Sequence, residues 1–473
     1  MYLNISQFKH LACDSDMIQA AIDAAQESGE AVLVPKKNPR TGEAIYSVTK
    51  TIVLHSETTL ILQNCYLRLA DDAICIMFAN DNLVNRTTDQ QENITIRGMG
   101  KVILDGGKHN GICENNGIAK KSASEIRRSP LDNRLMAFQG VKHLTVEGFT
   151  IKNQRYWALI CYGVTFSRIA NIHLTSESNV PNQDGIDLAT GCHNVIIENI
   201  TGCVGDNVVA ICAMGTSSPY KPGPEGDVYN IIVRNLLVYG VGGCSIIRIL
   251  NHDGYKIYNI RIDNLIEISP WSMDDAGVAP NPDLVTKFDE NGNVLPETFL
   301  VPGQVGYRCE AAIIIGESYW YAKSKAEHGD TYGISVSNVM THDRFAVWIN
   351  NTLMDSTFEN IRVFGNGHRA AYFGNGTMEN VHFRNISYDR DCLPLPCDKV
   401  IDITWNSTYS EGFSCVYFQD PVLKNVTFKN MECAGGMDAV FGGSAKGEVI
   451  CSDVQHDRIP VLSDVKGLEI SAK

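Results

Sequence analysis

One phrase returns along the whole chain and limits what it can fold into: Asn, apolar, any residue, apolar, any residue, Asn, apolar. Residues 194–200 read Asn-Val-Ile-Ile-Glu-Asn-Ile, and residues 230–236 read Asn-Ile-Ile-Val-Arg-Asn-Leu. Variants stand at 259–265, 333–339, 355–361, 380–386 and 425–431, with looser copies near 93–97, 143–149 and 166–172. A period of roughly 22–36 residues marks a stacked repeat. Each copy alternates apolar and polar residues, so each is a short strand, not a helix with i, i+3, i+4 spacing.

A strand this short cannot bury its apolar face alone, but stacked rungs share a continuous core. Asn suits the turns between strands, because it tolerates left-handed backbone and hydrogen-bonds nearby groups. Stacked Asn side chains can also form a ladder that satisfies buried amides. These features predict an all-β, right-handed parallel β-helix (a solenoid). A leucine-rich horseshoe needs a denser Leu frame and a helix in every turn.

The repeat runs through most of the 473 residues, which predicts a single β-helix domain over 1–473. About 1–60 supply an N-terminal cap and the first strands. Met17, Ile18, Ala21, Ile22 and Ala25 have helical spacing and precede Gly29, as expected of a short amphipathic capping helix. From Asn264 to Asn338 the interval stretches to roughly three times a normal rung, which predicts a long loop insertion over about 270–330. That insertion holds Asp274, Asp275 and the aromatics Tyr319, Trp320 and Tyr321, and is expected to wall a groove. A C-terminal cap is expected over about 434–473.

A formal charge of −14 argues against nucleic acid or an anionic membrane as partner. No apolar run is long enough to span a bilayer. The opening Met-Tyr-Leu-Asn-Ile-Ser-Gln lacks a basic n-region and an apolar h-region. The 15 Cys are scattered and odd in number, and no CxxC pair has metal spacing. Buried thiols in a reducing cytoplasm are therefore expected, with no cofactor and no metal. Association of copies along a flat solenoid face stays open.

Acidic residues concentrate in Asn182-Gln183-Asp184-Gly185-Ile186-Asp187 and in Gly205-Asp206-Asn207. The step from Asp184 to Asp206 is about one rung, and stacked rungs lie about 4.8 Å apart. Two carboxylates in one patch suit glycoside hydrolysis, one protonating the leaving oxygen and the other activating water. Asp184 and Asp187 also fit plain turn positions.

These blocks resemble glycoside hydrolase family 28, the polygalacturonase-type β-helix enzymes. The family pattern runs Asn-Thr-Asp-Gly-(apolar)-Asp, (Gly/Gln)-Asp-Asp-x-(apolar)-Ala, Gly-His-Gly and Arg-Ile-Lys. This chain is similar at Asn182–Leu188, at Gly205–Ile211 and at Arg248-Ile249-Leu250, with further likeness at Gly98–Gly106 and Asn153–Trp157. The resemblance implies Asp206 as general acid and Asp184 as base, with Arg248 and Asn182 on the sugar. Asn207 replaces the second aspartate of the pair, so it would orient water through its carbonyl while Asp187 shares the charge. Leu250 replaces the family lysine. No Gly-His-Gly stands between Met214 and Asp227, where Lys221 and Glu225 lie instead. Trp157, His252 and Asp253 are further candidates for substrate contact. The implied activity is exo-acting, inverting cleavage of pectic or related plant-type oligosaccharides. A β-helix lyase using a basic residue or Ca²⁺, an intramolecular glycosyl (fructosyl) transferase, and an inactive carbohydrate-binding protein are the alternatives.

Overall fold

In a computed structural model the described residues are 2–108, 130–176, 182–214, 226–240, 245–267, 311–316, 326–341, 345–364, 369–389 and 414–472. The expected roles of Asp274, Asp275, Tyr319–Tyr321, Lys221 and Glu225 fall outside them. The chain divides into two compact units. One comprises Met1–Val209 with Ser217–Glu225 and Pro280–Val305, and the other Ala210–Thr216, Gly226–Ala279 and Gly306–Lys473.

In the first unit, strands pair in parallel with the strand one rung on. Thr145–Lys152 pairs with Thr165–Thr175, and that strand pairs with His193–Val204. Parallel strands of one sheet joined by crossovers are right-handed, which makes this a right-handed parallel β-helix. Like residues stack in register, as with Ile169 on Ile197 and Ile172 on Ile200, all buried. The helix Asp14–Ser28 covers this core at the N-terminal end with Met17, Ile18, Ala21, Ile22 and Ala25. The Cys13 sulfur accepts the Asp16 amide at its start, and Gly29 ends it in left-handed backbone, φ 68°.

The second unit repeats the pattern. Ile257–Glu267 pairs directly with Thr331–Thr341, and the strand Ala311–Gly316, between them in sequence, continues a second column, pairing with Ser245–Asn251 and with Phe345–Asn350. Thr377–Asp389 pairs with Ser414–Ala434, and Ala439–Asp457 and Val461–Ala472 continue the stack. Phe358, Phe383 and Phe428 stack along the core with centroids 4.6 and 4.9 Å apart.

The repeated Asn residues lie at the corners of the rungs, with φ between 51° and 60°. Their amides form ladders: Asn360 donates to Asn338 at 3.0 Å, Asn385 to Asn360 at 2.8 Å and Asn430 to Asn385 at 2.9 Å. These ladders run along the surface, where the corners turn, and not inside the core.

Candidate active site

The site is built where three rungs of the first unit come into register. Ala158 N–H donates to the Asp184 carbonyl at 3.0 Å, and Gly185 N–H donates to the Asn207 carbonyl at 2.9 Å. Trp157, Asp184 and Asn207 therefore occupy the same position on successive rungs. The spacing expected to stack Asp206 on Asp184 is off by one residue: Asn207 is the neighbour, and Asp206 precedes it. Gly185 makes the close stacking possible, because a Cβ there would lie 2.5 Å from the Val208 carbonyl oxygen. Behind it, Gln183 Nε2 donates to the Gln154 carbonyl at 2.7 Å, and Gln154 Nε2 reaches back to the Gln183 and Asp184 carbonyls at 3.4 Å. That buried amide pair fixes the turn that carries Asp184.

Asn207 joins the two proposed acid–base carboxyls. Its Nδ2 donates to Asp184 Oδ2 at 2.9 Å and to Asp206 Oδ1 at 2.7 Å. Both of these bonds use its amide N–H groups. Asp184 and Asp187 are buried, while Asp206 and Asn207 are half-buried. Burial pushes the Asp184 carboxyl well above the usual carboxylate range, and the charges of Asp206 and Asp187 push it the same way. The Asn207 amide pulls it back. Burial and then Asp206 likewise raise Asp187, and the Arg134 guanidinium opposes them. Asp184 Oδ1 and Asp187 Oδ2 are buried with no hydrogen-bond partner among the described residues. Close carboxyls in a poorly solvated site cannot all ionise, so this group retains a proton at a pH where a lone aspartate would lose it.

Asn182 is half-buried at the entry to this turn in left-handed backbone, φ 60°. Trp157 packs against an apolar cluster that includes Ile160, Tyr162 and Ala189. Its ring lies 4.8 Å from that of Tyr156.

Arg248, His252 and Asp253 belong to the second unit. Arg248 is half-buried on the strand Ser245–Asn251, and its Nε and Nη2 are buried without a partner among the described residues. The positions that follow Arg248 rung by rung are Ile314, Trp348, Tyr372 and Tyr417, an apolar and aromatic column. His252 Nε2 lies 4.0 Å from Asp253 Oδ1, and both backbone N–H groups donate to the Ala213 carbonyl.

Sequence reasoning missed Arg134, Tyr162 and the Trp348–Tyr372–Tyr417 column. Arg134 had a signal: the intervals from 134 to 157 to 184 to 207 are each one rung.

This chain belongs to glycosyl hydrolases family 28, whose model matches residues 32–269. No curated protein sequence matches it. Among solved structures it is similar to the tailspike of E. coli bacteriophage HK620 in complex with pentasaccharide, at 11% identity and TM-score 0.57 over 100% of this chain and 80% of that one. It is similar to the A-module of the mannuronan C-5 epimerase AlgE4 of Azotobacter vinelandii, at 11% identity and TM-score 0.55 over 100% of both chains. An exopolygalacturonase from Thermotoga maritima matches at 15% identity and TM-score 0.44 over 100% of this chain and 92% of that one. At these identities the first two likenesses show the fold alone. Among the described residues no helix is long and apolar enough to cross a membrane.

Proposed function

We propose that the protein is a glycosidase that cleaves pectic or related plant-type oligosaccharides, exo-acting and with inversion. One observation carries this reading: Asp184 and Asp206 share the Asn207 amide, in a chain of family 28. Asp206, the more exposed of the two, acts as the general acid and delivers a proton to the leaving glycosidic oxygen. Asp184, ionised, takes a proton from the attacking water. A base whose pKa is raised toward the working pH is a stronger base than an ordinary aspartate. Asp187, buried beside the pair, adds a third carboxyl to a group that cannot all ionise together. Asn182 and Trp157 contact the sugar, and in the second unit Arg248, with His252 and Asp253, binds substrate. Exo action is supported by the long sequence interval between Asn264 and Asn338.

Asn207 is the observation that favours a second reading, a carbohydrate-binding protein without turnover, since a family carboxylate is missing there. The anomeric configuration of the first-formed product, followed by NMR, tests the proposal. Inversion supports it. A product absorbing in the near ultraviolet from a new double bond points to a lyase. No product with binding intact points to the second reading.

A further inference from the structure

His55 meets a carboxylate at each of its two ring nitrogens. It follows the strand Ile52–Leu54, which pairs with Phe78–Asn80 so that Leu54 stands against Asn80. Asp81 comes next in the chain and stacks one rung beyond His55, with its Oδ1 and Oδ2 at 3.0 and 2.8 Å from His55 Nδ1. On the other side, Nε2 lies 3.1 Å from Oδ1 of Asp23 on the capping helix Asp14–Ser28. Further bonds hold the two carboxylates: Gln19 Nε2 donates to Asp23 Oδ1 at 2.8 Å, and Gln91 Nε2 donates to Asp81 Oδ2 at 2.9 Å. Among the described residues, Asp23 and Asp81 are the charged groups that face His55. His55 and Asp81 are half-buried, and Asp23 is exposed. An ionised carboxylate only accepts hydrogen bonds, and a neutral imidazole has one N–H. Both contacts are therefore hydrogen bonds only when the ring carries two protons. Burial works against that charge, but the hydrogen bonds to Asp23 and Asp81 and the charges of both outweigh it, and His55 is raised above the ordinary imidazole pKa.

We propose that His55 is a pH-sensitive fastener of the N-terminal cap: as an imidazolium it ties the capping helix to the rung that carries Asp81, and on losing a proton it releases the helix side. The loss falls on that side because the two contacts are unequal. Asp81 meets Nδ1 with both oxygens in a half-buried setting, whereas Asp23 meets Nε2 with one oxygen in an exposed setting. The remaining proton therefore stays on Nδ1, the Nε2 lone pair faces the Asp23 carboxylate, and that carboxylate turns to water. The helix keeps other bonds that do not titrate in this range. Among them, Gln19 exchanges two hydrogen bonds with the Val53 backbone at 2.7 and 3.1 Å, and Gln26 Nε2 donates to the Thr58 hydroxyl at 3.2 Å. The helix accordingly stays in place but opens more often. The sign follows from the raised pKa: the fastener's contribution is complete below the ordinary imidazole pKa and is lost as pH rises through the raised value. Met17, Ile18, Ala21, Ile22 and Ala25 of this helix cover the end of the core, so one proton governs how often that end is uncovered.

The test is hydrogen exchange of the amides of Asp14–Ser28 in the full chain, corrected for intrinsic rates, between about pH 6 and 9, with nitrogen-15 NMR of the His55 ring alongside. In the wild type, corrected exchange in the second half of the helix rises by about two- to fivefold, the scale of a solvent-exposed ion pair. The midpoint of that step coincides with the titration of the ring, and the neutral ring is the Nδ1–H tautomer. In Asp23→Asn the step disappears, because a side-chain amide offers Nε2 a donor or an acceptor as the ring requires, while the pair with Asp81 remains. His55→Gln also lacks the step. Both variants keep Asp184 and Asp187, so wider effects of pH on stability cancel in the comparison. Should His55→Gln not fold, Asp23→Asn, a change at an exposed side chain, carries the test. No step in the wild type, a step of the same size in Asp23→Asn, or a neutral ring protonated at Nε2 overturns the proposal.

Discussion

At the scale of the residue, the account depends on how three aspartates and one asparagine divide charge. Asp184→Asn and Asp206→Asn should each lower turnover by about 10²–10⁴, the usual contribution of a positioned acid or base. A steady-state assay checks this, and full activity in both variants would show that the residues are misassigned. The same acids make a second, independent statement about stability. The raised carboxyls of Asp184 and Asp187 bind protons more tightly in the folded chain than in the unfolded one. Their contribution is therefore complete below the ordinary carboxylate pKa and is lost as pH rises through the raised values. Melting temperature should fall from mildly acid to mildly alkaline pH. Asp184→Asn should flatten that dependence, and Asn207→Asp, which removes two donated hydrogen bonds and adds a charge, should steepen it. A set of thermal melts across pH that shows no difference among the three proteins would contradict the buried, coupled arrangement.

At the scale of the element, the corners explain the repeated Asn better than the strands do. Asn385 adopts φ 56°, donates to Asn360 and accepts from Asn430. Left-handed backbone costs an ordinary residue roughly 1–2 kcal/mol, and a lost surface hydrogen bond adds about 1 kcal/mol. Asn385→Ala should therefore destabilise more than Asn385→Gly, which loses the ladder but not the backbone freedom; equal effects in denaturant melts would argue against the corner explanation. In the core, Phe383 lies stacked between Phe358 and Phe428, and Phe383→Ala should cost about 3–5 kcal/mol. The strands were legible because alternation and the Asn pair mark each rung from within. Register between rungs was not, because the turns absorb different numbers of residues. That is why Asp206 was expected where Asn207 stands, and why Arg134 was overlooked: its partner Tyr162 lies one rung on, at a distance that no local pattern encodes.

At the scale of the whole molecule, family membership and fold agree with the reading of the repeat, whereas substrate preference depends on charge. A net charge of −14 repels polyanions at long range, and salt screens that repulsion over about 10 Å at 0.1 M. If a pectic polyanion is the substrate, raising ionic strength should lower KM, whereas a neutral oligosaccharide should show no such change. Leu250, buried beside Arg248 where the resemblance implied a lysine, removes a cation that would read a uronate carboxylate.

The most direct test of the central claim is product analysis on a panel of pectic, fructan and neutral plant oligosaccharides, with wild type and Asp206→Asn side by side. The account predicts release of a monosaccharide by the wild type and its loss in the variant. Undiminished release by Asp206→Asn, or no product from any substrate with binding intact in both proteins, would contradict it.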